Sequence, residues 1–358
     1  MVDKSFMKML KQKVERAVEE GKLPRELLLY EEVERRDRKG RPKPRRRHLD
    51  SLCDGAVRGG DLEYFKNNVD AWIDWLSWSS VVLDEEDYFT VAVHALDLAP
   101  RLAGTDYGTS RMRDLGQLWT DTIRGFLGEL AFVKWLKEKF RVEAELDYRK
   151  GPLEQFLPSD LKSVGGRAPK LRLSIKSTKL RSVWLDIPYE QVRHSDVFVL
   201  VRVGVTRMHF LAFLKKISVI REKMLERAIE LGIISEEEAR SIWEVVPEFE
   251  NIPSYIVGFL DKREYGRTLD EDPSLILHVD GEMKRKNFVI NRFVGFWHPR
   301  KKEYREKVIQ LLQSKGMRSG AELKFEGIDN FTPTLHFIVH SGFLKRTKDD
   351  WNMLVQSL

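Results

Sequence analysis

The most constraining feature of the chain is an unbroken apolar run near its middle, in Asp196-Val-Phe-Val-Leu-Val-Arg-Val203. A strand without polar alternation is covered on both faces, so the run predicts the central strand of a sheet. Leu171-Arg-Leu-Ser-Ile-Lys176 alternates apolar and polar residues and predicts a second strand. Apolar residues at helical spacing predict a long helix over 111–139. We therefore expect an α/β fold in which helices flank a mixed central sheet.

The loop Gly104-Thr-Asp-Tyr-Gly-Thr-Ser110 is a candidate boundary. It predicts an N-terminal helical region over 1–110 and a second domain over 111–358 with a C-terminal elaboration. The further predicted elements are helices over 5–35, 61–100 and 211–245, and strands near 142–148 and 255–260. Tryptophans recur at helical spacing within 72–78. They suit a helix-packing core better than stacking on nucleic-acid bases.

Composition excludes several classes of protein. Cys53 is the only cysteine, which rules out an internal disulfide and a cysteine-based zinc site. No run reaches the ~18 apolar residues of a membrane span, and the N-terminus lacks the apolar core of a signal peptide. We expect a cytoplasmic protein. Charged residues make up 33% of the chain, which resembles thermophile composition. The net charge of +6 favours a polyanionic partner, although a generic basic protein would carry it too.

Residues 35–47 read RRDRKGRPKPRRR, with nine basic residues and one acid. Two prolines and a glycine prevent a regular helix in this segment. We expect a flexible basic arm whose Arg45, Arg46 and Arg47 bind nucleic-acid phosphates without reading sequence. A solvated linker is the alternative.

Glu129 lies within the long predicted helix, in Gly125-Phe-Leu-Gly-Glu-Leu-Ala-Phe132. Its neighbours three and four residues away are nearly all apolar, so its carboxylate would be partly desolvated. Such burial is costly unless the group is paired or binds a cation. An edge position that reaches solvent, or a pair with an arginine, is the alternative.

Asp160 follows a proline and a serine, and a turn containing Gly165, Gly166 and Pro169 comes after it. This spacing predicts a hairpin that brings Asp160 beside the strand carrying Lys176.

Within that strand, the side chains of Ser174 and Lys176 lie on one face and Ile175 on the other. Ile175 would anchor the strand in the core. Lys176 would stabilise an attacking hydroxide or a pentavalent phosphate. A lysine at a strand end is, by itself, more often simply exposed.

The order of these features resembles the PD-(D/E)xK nuclease superfamily over residues 129–205, and implies a restriction-endonuclease-like core. In most members the residue two before the lysine is acidic, whereas here it is Ser174. One branch of type II restriction endonucleases, which reads CCGG or CCNGG-like cores, carries this substitution. That branch places the missing carboxylate on the following helix. Glu190 occupies the equivalent place, with thirteen residues between it and Lys176.

The resemblance implies a Mg²⁺-dependent endonuclease. Glu129, Asp160 and Glu190 would supply carboxylates, with a main-chain carbonyl near Ile175 completing the set of ligands. Lys176 would orient the attacking water and help to deprotonate it.

The same resemblance implies that Lys179, Arg181 and Ser182 contact double-stranded DNA. Arg181 would read a guanine, since its two donors match O6 and N7. Val183 departs from the branch, which has a second arginine there.

A symmetric DNA site would require a homodimer. The alternatives are a structure-specific nuclease of DNA repair or recombination, and an inactive DNA-binding protein with a degenerate nuclease fold.

Overall fold

The computed structural model describes residues 4–32, 34, 37–103, 114–148, 159–328 and 334–358. The helices are α1 (Lys4–Glu19), α2 (His48–Arg58), α3 (Asp61–Tyr64), α4 (Val69–Ser79), α5 (Glu85–Ala103), α6 (Leu115–Phe140), α7 (Tyr189–His194), α8 (Arg207–Lys216), α9 (Leu225–Glu230), α10 (Glu236–Val245), α11 (Thr268–Glu271), α12 (Lys302–Gln313) and α13 (Lys348–Gln356). The strands are β1 (Ser80–Leu83), β2 (Ala144–Leu146), β3 (Leu161–Val164), β4 (Leu173–Lys179), β5 (Trp184–Pro188), β6 (Val197–Val203), β7 (Ile252–Asp261), β8 (Ile276–Lys284), β9 (Asn287–Trp297), β10 (Glu322–Phe325) and β11 (His336–His340). None of the described helices combines the length and apolar character of a membrane span.

The first sheet has the order β1-β7-β6-β4, with β4 parallel to β6 and the other pairs antiparallel. The apolar run forms β6, which is buried along its whole length, as predicted for a central strand. Val199 and Val201 face α6 across one core, while Phe198 and Leu200 face the opposite side. The mixed α/β architecture, with mixed sheets flanked by helices, follows from this two-sided burial.

A second sheet, absent from the sequence-based expectations, has the order β10-β9-β11-β5, with β8 paired to β9. Its inner face, which includes Leu185 and Phe337, packs on Phe198 and Leu200 of β6. Its outer face is covered by α12. The layers are therefore α6, first sheet, second sheet and α12.

The N-terminal helices α1, α2 and α4 enclose a core of their own, which Leu180 and Tyr255 complete. By contrast, β1 pairs with β7, and α5 packs on α6. Residues 80–103 therefore pack with α6 and the first sheet, whereas the helices before Ser80 share the N-terminal core; the predicted division at residue 110 stays a prediction. The loop 104–110 itself lies outside the described residues. The predicted helix over 5–35 ends at Glu19, and Gly21 follows it with a φ of +72°.

A buried ionic network joins three distant parts of the chain. Asp61 of α3 accepts hydrogen bonds from Arg202 of β6 at 2.6 Å and from Arg346 at 2.7 Å. The side chains of all three are at most 2% exposed. Burial alone would raise the pKa of Asp61, but the two guanidiniums outweigh it and hold that pKa below its usual value. We call these three residues the Asp61 network.

Replacing Asp61 by asparagine should lower the free energy of unfolding by about 3–5 kcal/mol, because two buried guanidinium charges lose their counter-ion. Urea denaturation would measure the loss. Asp70→Asn is the matched control, since Asp70 pairs with Lys13 and its side chain is 74% exposed. That control should cost at most about 1 kcal/mol. Equal losses in the two variants would contradict the importance of the network.

Candidate active site

Asp160 lies against the outer edge of β4, as expected, but the predicted hairpin is wrong, because β3 pairs with β2. Its amide donates to the carbonyl of Leu173 at 2.8 Å, and its Oδ2 accepts from the amide of Ile175 at 2.5 Å. Between β3 and β4 the chain turns at Gly165 and Gly166, whose φ angles are +57° and +74°. These two conformations suit glycine and strain other residues.

The two faces of β4 also follow the predicted alternation. Ser174 and Lys176 lie beside Phe198 and Leu200 of β6, whereas Ile175 is buried in the core under α6. The Ser174 side chain is buried, and its hydroxyl makes no hydrogen bond with the described residues. It nevertheless lies near enough to Asp160 to favour the charged carboxylate. The geometry falls short of a hydrogen bond, so the contact is electrostatic only.

Glu129, Asp160 and Lys176 influence one another electrostatically, and we call these three residues the carboxylate cluster. Burial raises the pKa of Glu129 well above its usual range, and Asp160 adds to this effect while Lys176 opposes it. Burial also raises the pKa of Asp160, against the opposing effects of Lys176 and the Ile175 amide. Two half-buried carboxyl groups within electrostatic reach of each other favour a bound proton or cation.

The donors of the cluster suit Mg²⁺. This ion takes oxygen ligands, often one or two carboxylates, and keeps several waters. The N–H and C=O of one strand residue point to the same edge, so the carbonyl of Ile175 lies on the same side as Asp160. Across the described ranges, no three His, Cys, Asp or Glu side chains are grouped closely enough to hold a metal ion. The protein would therefore supply Asp160, Glu129 and the Ile175 carbonyl.

The structure does not bring Glu190 to this cluster, contrary to the sequence-based expectation. Its side chain is 55% exposed and lies 3.7 Å from that of Arg193. The reason is topological. After β4 the chain enters the second sheet as β5, so α7 packs against β5 and β11. The charges that shift the pKa of Glu129 are those of Asp160 and Lys176.

Tyr148 and His94 border the cluster and were not predicted. Their rings stack with centroids 3.8 Å apart and planes 4° from parallel. Burial, reinforced by the charge of Glu129, raises the pKa of Tyr148 to about 12. His94 is on α5 and Tyr148 follows β2, so no local spacing in the sequence signals their contact.

A cleft of about 630 Å³ opens at the carboxyl end of β4. Its described lining includes five cationic side chains: Arg46, Arg58, Arg124, Lys179 and Arg181. Two acids, Asp54 and Glu326, also line it. Arg46 lies 3.4 Å from Asp54, and Lys284 lies 3.5 Å from Glu326. We call this the cationic cleft. Of the predicted DNA contacts, it contains Arg46, Lys179, Arg181 and Ser182.

The turn between β4 and β5 is held by α2. Arg58 donates to the carbonyl of Arg181 at 2.8 Å, and a Cβ at Gly55 would lie 2.4 Å from the carbonyl oxygen of Leu180. The N-terminal helices therefore form one wall of the cleft. Neither Arg58 nor Arg124 was singled out in the sequence, because each contributes only through contacts made in the fold.

The predicted basic arm ends in an anchored segment. Arg47 bridges to Tyr30 through the backbone, and its guanidinium lies 2.6 Å from Glu15. Arg45 packs over the Tyr30 ring at 3.9 Å. The three arginines thus have different surroundings, and of the three only Arg46 lines the cationic cleft. This differs from the flexible arm expected for 35–47, within which residues 35 and 36 lie outside the described part.

Helix α6 approaches β4 closely at Gly128, where a Cβ would lie 2.4 Å from the Cβ of Ser177. Gly128→Ala should cost about 1–3 kcal/mol of stability and displace Glu129 from Asp160. Gly125→Ala, on the same helix with nothing within 4 Å of its added Cβ, should instead stabilise by about 0.8–1 kcal/mol. Urea denaturation of both variants tests the close approach, which predicts effects of opposite sign.

The raised pKa of Glu129 also predicts a pH dependence. Its folded pKa exceeds the ordinary value of 4.5, so its contribution to stability is complete below that pH and is lost as pH rises through the folded pKa. In EDTA, Glu129→Gln should therefore be more stable than wild type at pH 8, with a smaller difference at pH 5. Glu138→Gln, an exposed site on the same helix, is the control. Stability curves that run parallel for wild type and Glu129→Gln would refute the prediction.

The chain matches no protein-family model, no curated protein and no solved structure. Its function therefore has to be argued from the carboxylate cluster and the cationic cleft.

Proposed function

We propose that the protein is a Mg²⁺-dependent endonuclease that hydrolyses phosphodiester bonds in double-stranded DNA. The main support is one arrangement. Glu129, Asp160 and Lys176 lie within electrostatic reach of one another beside β4, and the cationic cleft opens at the end of the same strand. A cation site beside a polyanion site is what phosphodiester hydrolysis requires.

The proposed chemistry assigns a role to each member of the cluster. Asp160, Glu129 and the Ile175 carbonyl would hold Mg²⁺, which when bound lowers the pKa of water and acts as a Lewis acid. Lys176 would place its ammonium beside the attacked phosphate, where it stabilises the negative charge that develops in the transition state.

The cleft suits the backbone of the substrate. A strand rises about 3.3 Å per residue, so Lys179 lies about 10 Å along β4 from Lys176. That length corresponds to about three base pairs of duplex, at about 3.4 Å of axis per phosphate of one strand. A duplex whose scissile phosphate meets Lys176 would thus extend along the cationic cleft.

The order α6, β4, β6 is consistent with the restriction-endonuclease-like core that the PD-(D/E)xK resemblance implies, and we include that core in the proposal. Cleavage of both strands at a symmetric site would require a homodimer, in which each subunit supplies one cluster.

A specific observation favours one alternative function. Ser174 stands where most of the superfamily has an acid, and Glu190 lies apart, which leaves two of the three predicted carboxylates in the cluster. An inactive DNA-binding protein would have the same cleft. A structure-specific nuclease would have both the cleft and the cluster.

The test is incubation of the protein with a sequenced plasmid and Mg²⁺, followed by mapping of the ends. We expect cleavage by wild type, and a rate reduced by at least about 10²–10³ in Lys176→Ala and Asp160→Asn. Duplex binding in Ca²⁺ should be largely retained, since affinity comes mostly from phosphate contacts.

Glu190→Ala should keep near-wild-type cleavage because its carboxylate lies outside the cluster, and Arg193→Gln is its matched surface control. Ends at one discrete sequence would identify a type II enzyme, whereas cutting confined to branched DNA would identify a structure-specific nuclease. DNA binding without cleavage of either substrate would identify the inactive alternative and refute the proposal.

A further inference from the structure

Arg124 has a donor that lacks an acceptor. Its Nη1 lies 3.2 Å from Asp121 on the same helix, which orients the guanidinium. Its Nε is out of contact with solvent and has no hydrogen-bond partner among the described residues. The side chain lines the cationic cleft. A buried donor without an acceptor costs about 1–3 kcal/mol, so a ligand that draws the guanidinium further into the cleft and accepts its hydrogen bond would recover that energy.

Like charges crowd the same place. Burial lowers the pKa of Lys179, and the charges of Arg124, Arg181 and Arg207 lower it further, against an opposing effect of Asp121. This crowding is unfavourable in the free protein. A bound anion would reduce the repulsion between these cations and would give the Arg124 guanidinium a hydrogen-bond acceptor.

Hydroxyl groups complete the surroundings. Ser177, Thr178 and Ser182 line the cleft beside Arg124 and Lys179. Arginine and lysine with neighbouring hydroxyls are the groups that commonly contact phosphate oxygens. The fixed guanidinium of Arg124 favours a planar, directional contact, whereas Lys179 adds a mobile point charge.

We propose that Arg124, Lys179 and Arg181 form a phosphate-binding subsite within the cationic cleft, separate from the carboxylate cluster. Its ligand is a phosphate group, carried by a nucleic-acid backbone or free in solution. If the proposed function holds, the subsite deepens it, because it seats a phosphate about 10 Å along β4 from the one that is cut. The subsite itself does not depend on cleavage.

Inorganic phosphate is the first probe. In EDTA, the Tm of the full-length protein is measured against phosphate concentration, with chloride adjusted to keep ionic strength constant. Wild type should gain stability with phosphate because the ligand binds the folded state. A wild-type Tm that phosphate does not raise above the chloride control would overturn the proposal.

Variants locate the site. Arg124→Gln and Lys179→Gln should each weaken phosphate binding by about 10- to 100-fold, the usual value of a hydrogen bond to a charged group. In phosphate-free buffer Lys179→Gln should also have a Tm at or above that of wild type, since it removes a crowded cation. A merely structural role would lower that Tm and leave phosphate binding intact, which would overturn the proposal.

Arg227→Gln is the matched control, because this arginine is 66% exposed and pairs with Glu230 away from the cleft. It should bind phosphate like wild type. Arg124→Lys keeps the charge but lacks the Nε donor, so it should bind with intermediate affinity. If Arg124→Gln does not fold, Arg124→Lys and the exposed Lys179→Gln still decide the outcome. Phosphate binding unchanged in both would sink the idea.

Two further ligands separate the sources of the phosphate. A dinucleotide with one internal phosphodiester and a short duplex are titrated in EDTA with wild type and Lys179→Gln. A subsite for the nucleic-acid backbone should lose affinity for both ligands in the variant. Loss confined to inorganic phosphate would identify a free-anion site. Because these are binding measurements without metal, they stand even if no cleavage is ever observed.

Discussion

The Asp61 network is the interaction on which the arrangement of the whole molecule depends. The buried Asp61 carboxylate accepts hydrogen bonds from Arg202, on the central strand of the first sheet, and from Arg346, in the segment before α13. Arg202 also donates to the carbonyl of Ser182 at 3.0 Å, in the turn that borders the cationic cleft. One buried acid thus links the N-terminal helices, the sheet and the cleft. Two cations around one acid leave a net buried charge, which requires the surrounding carbonyl acceptors.

The carboxylate cluster differs from the Asp61 network, because its surroundings disfavour the charged form of its carboxyl groups. Burial disfavours ionised Glu129 and Asp160, the charge of Asp160 adds to this effect on Glu129 and that of Asp147 to the effect on Asp160, and Lys176 offsets only part of the cost. Sites that bind ions or carry out catalysis are often less stable than their surroundings for this reason. These unfavourable electrostatic interactions persist because apolar packing, in which the charged side chains of the cluster take no part, holds α6 and β4 together. The close contact at Gly128 and the buried side chain of Ile175 fix the two elements.

The sequence correctly predicted those features that depend on residues close together in the chain. The apolar run over 197–201 predicted β6, and alternation predicted the burial of Ile175, because strand burial follows directly from side-chain periodicity. Asp160 lies beside β4 as expected, although β3 pairs with β2 and the predicted hairpin does not form. Glu190 was misplaced because spacing along the chain does not reveal which sheet the next strand joins. Arg124 and Tyr148 acquire their surroundings from residues far away in sequence, so no window of the sequence contains the relevant pattern.

The Asp61 network also constrains how the chain can reach its final state. Asp61 and Arg346 are 285 positions apart. During synthesis, the N-terminal helices emerge long before either of the two arginines that pair with their buried acid. Until then, Asp61 has to remain hydrated, and the wall of the cleft that α2 provides has no fixed place on the sheet. Contacts of such long range slow folding, because loop closure is unfavourable until they form. The wall of the cleft that α2 provides therefore depends on contacts that span most of the length of the chain.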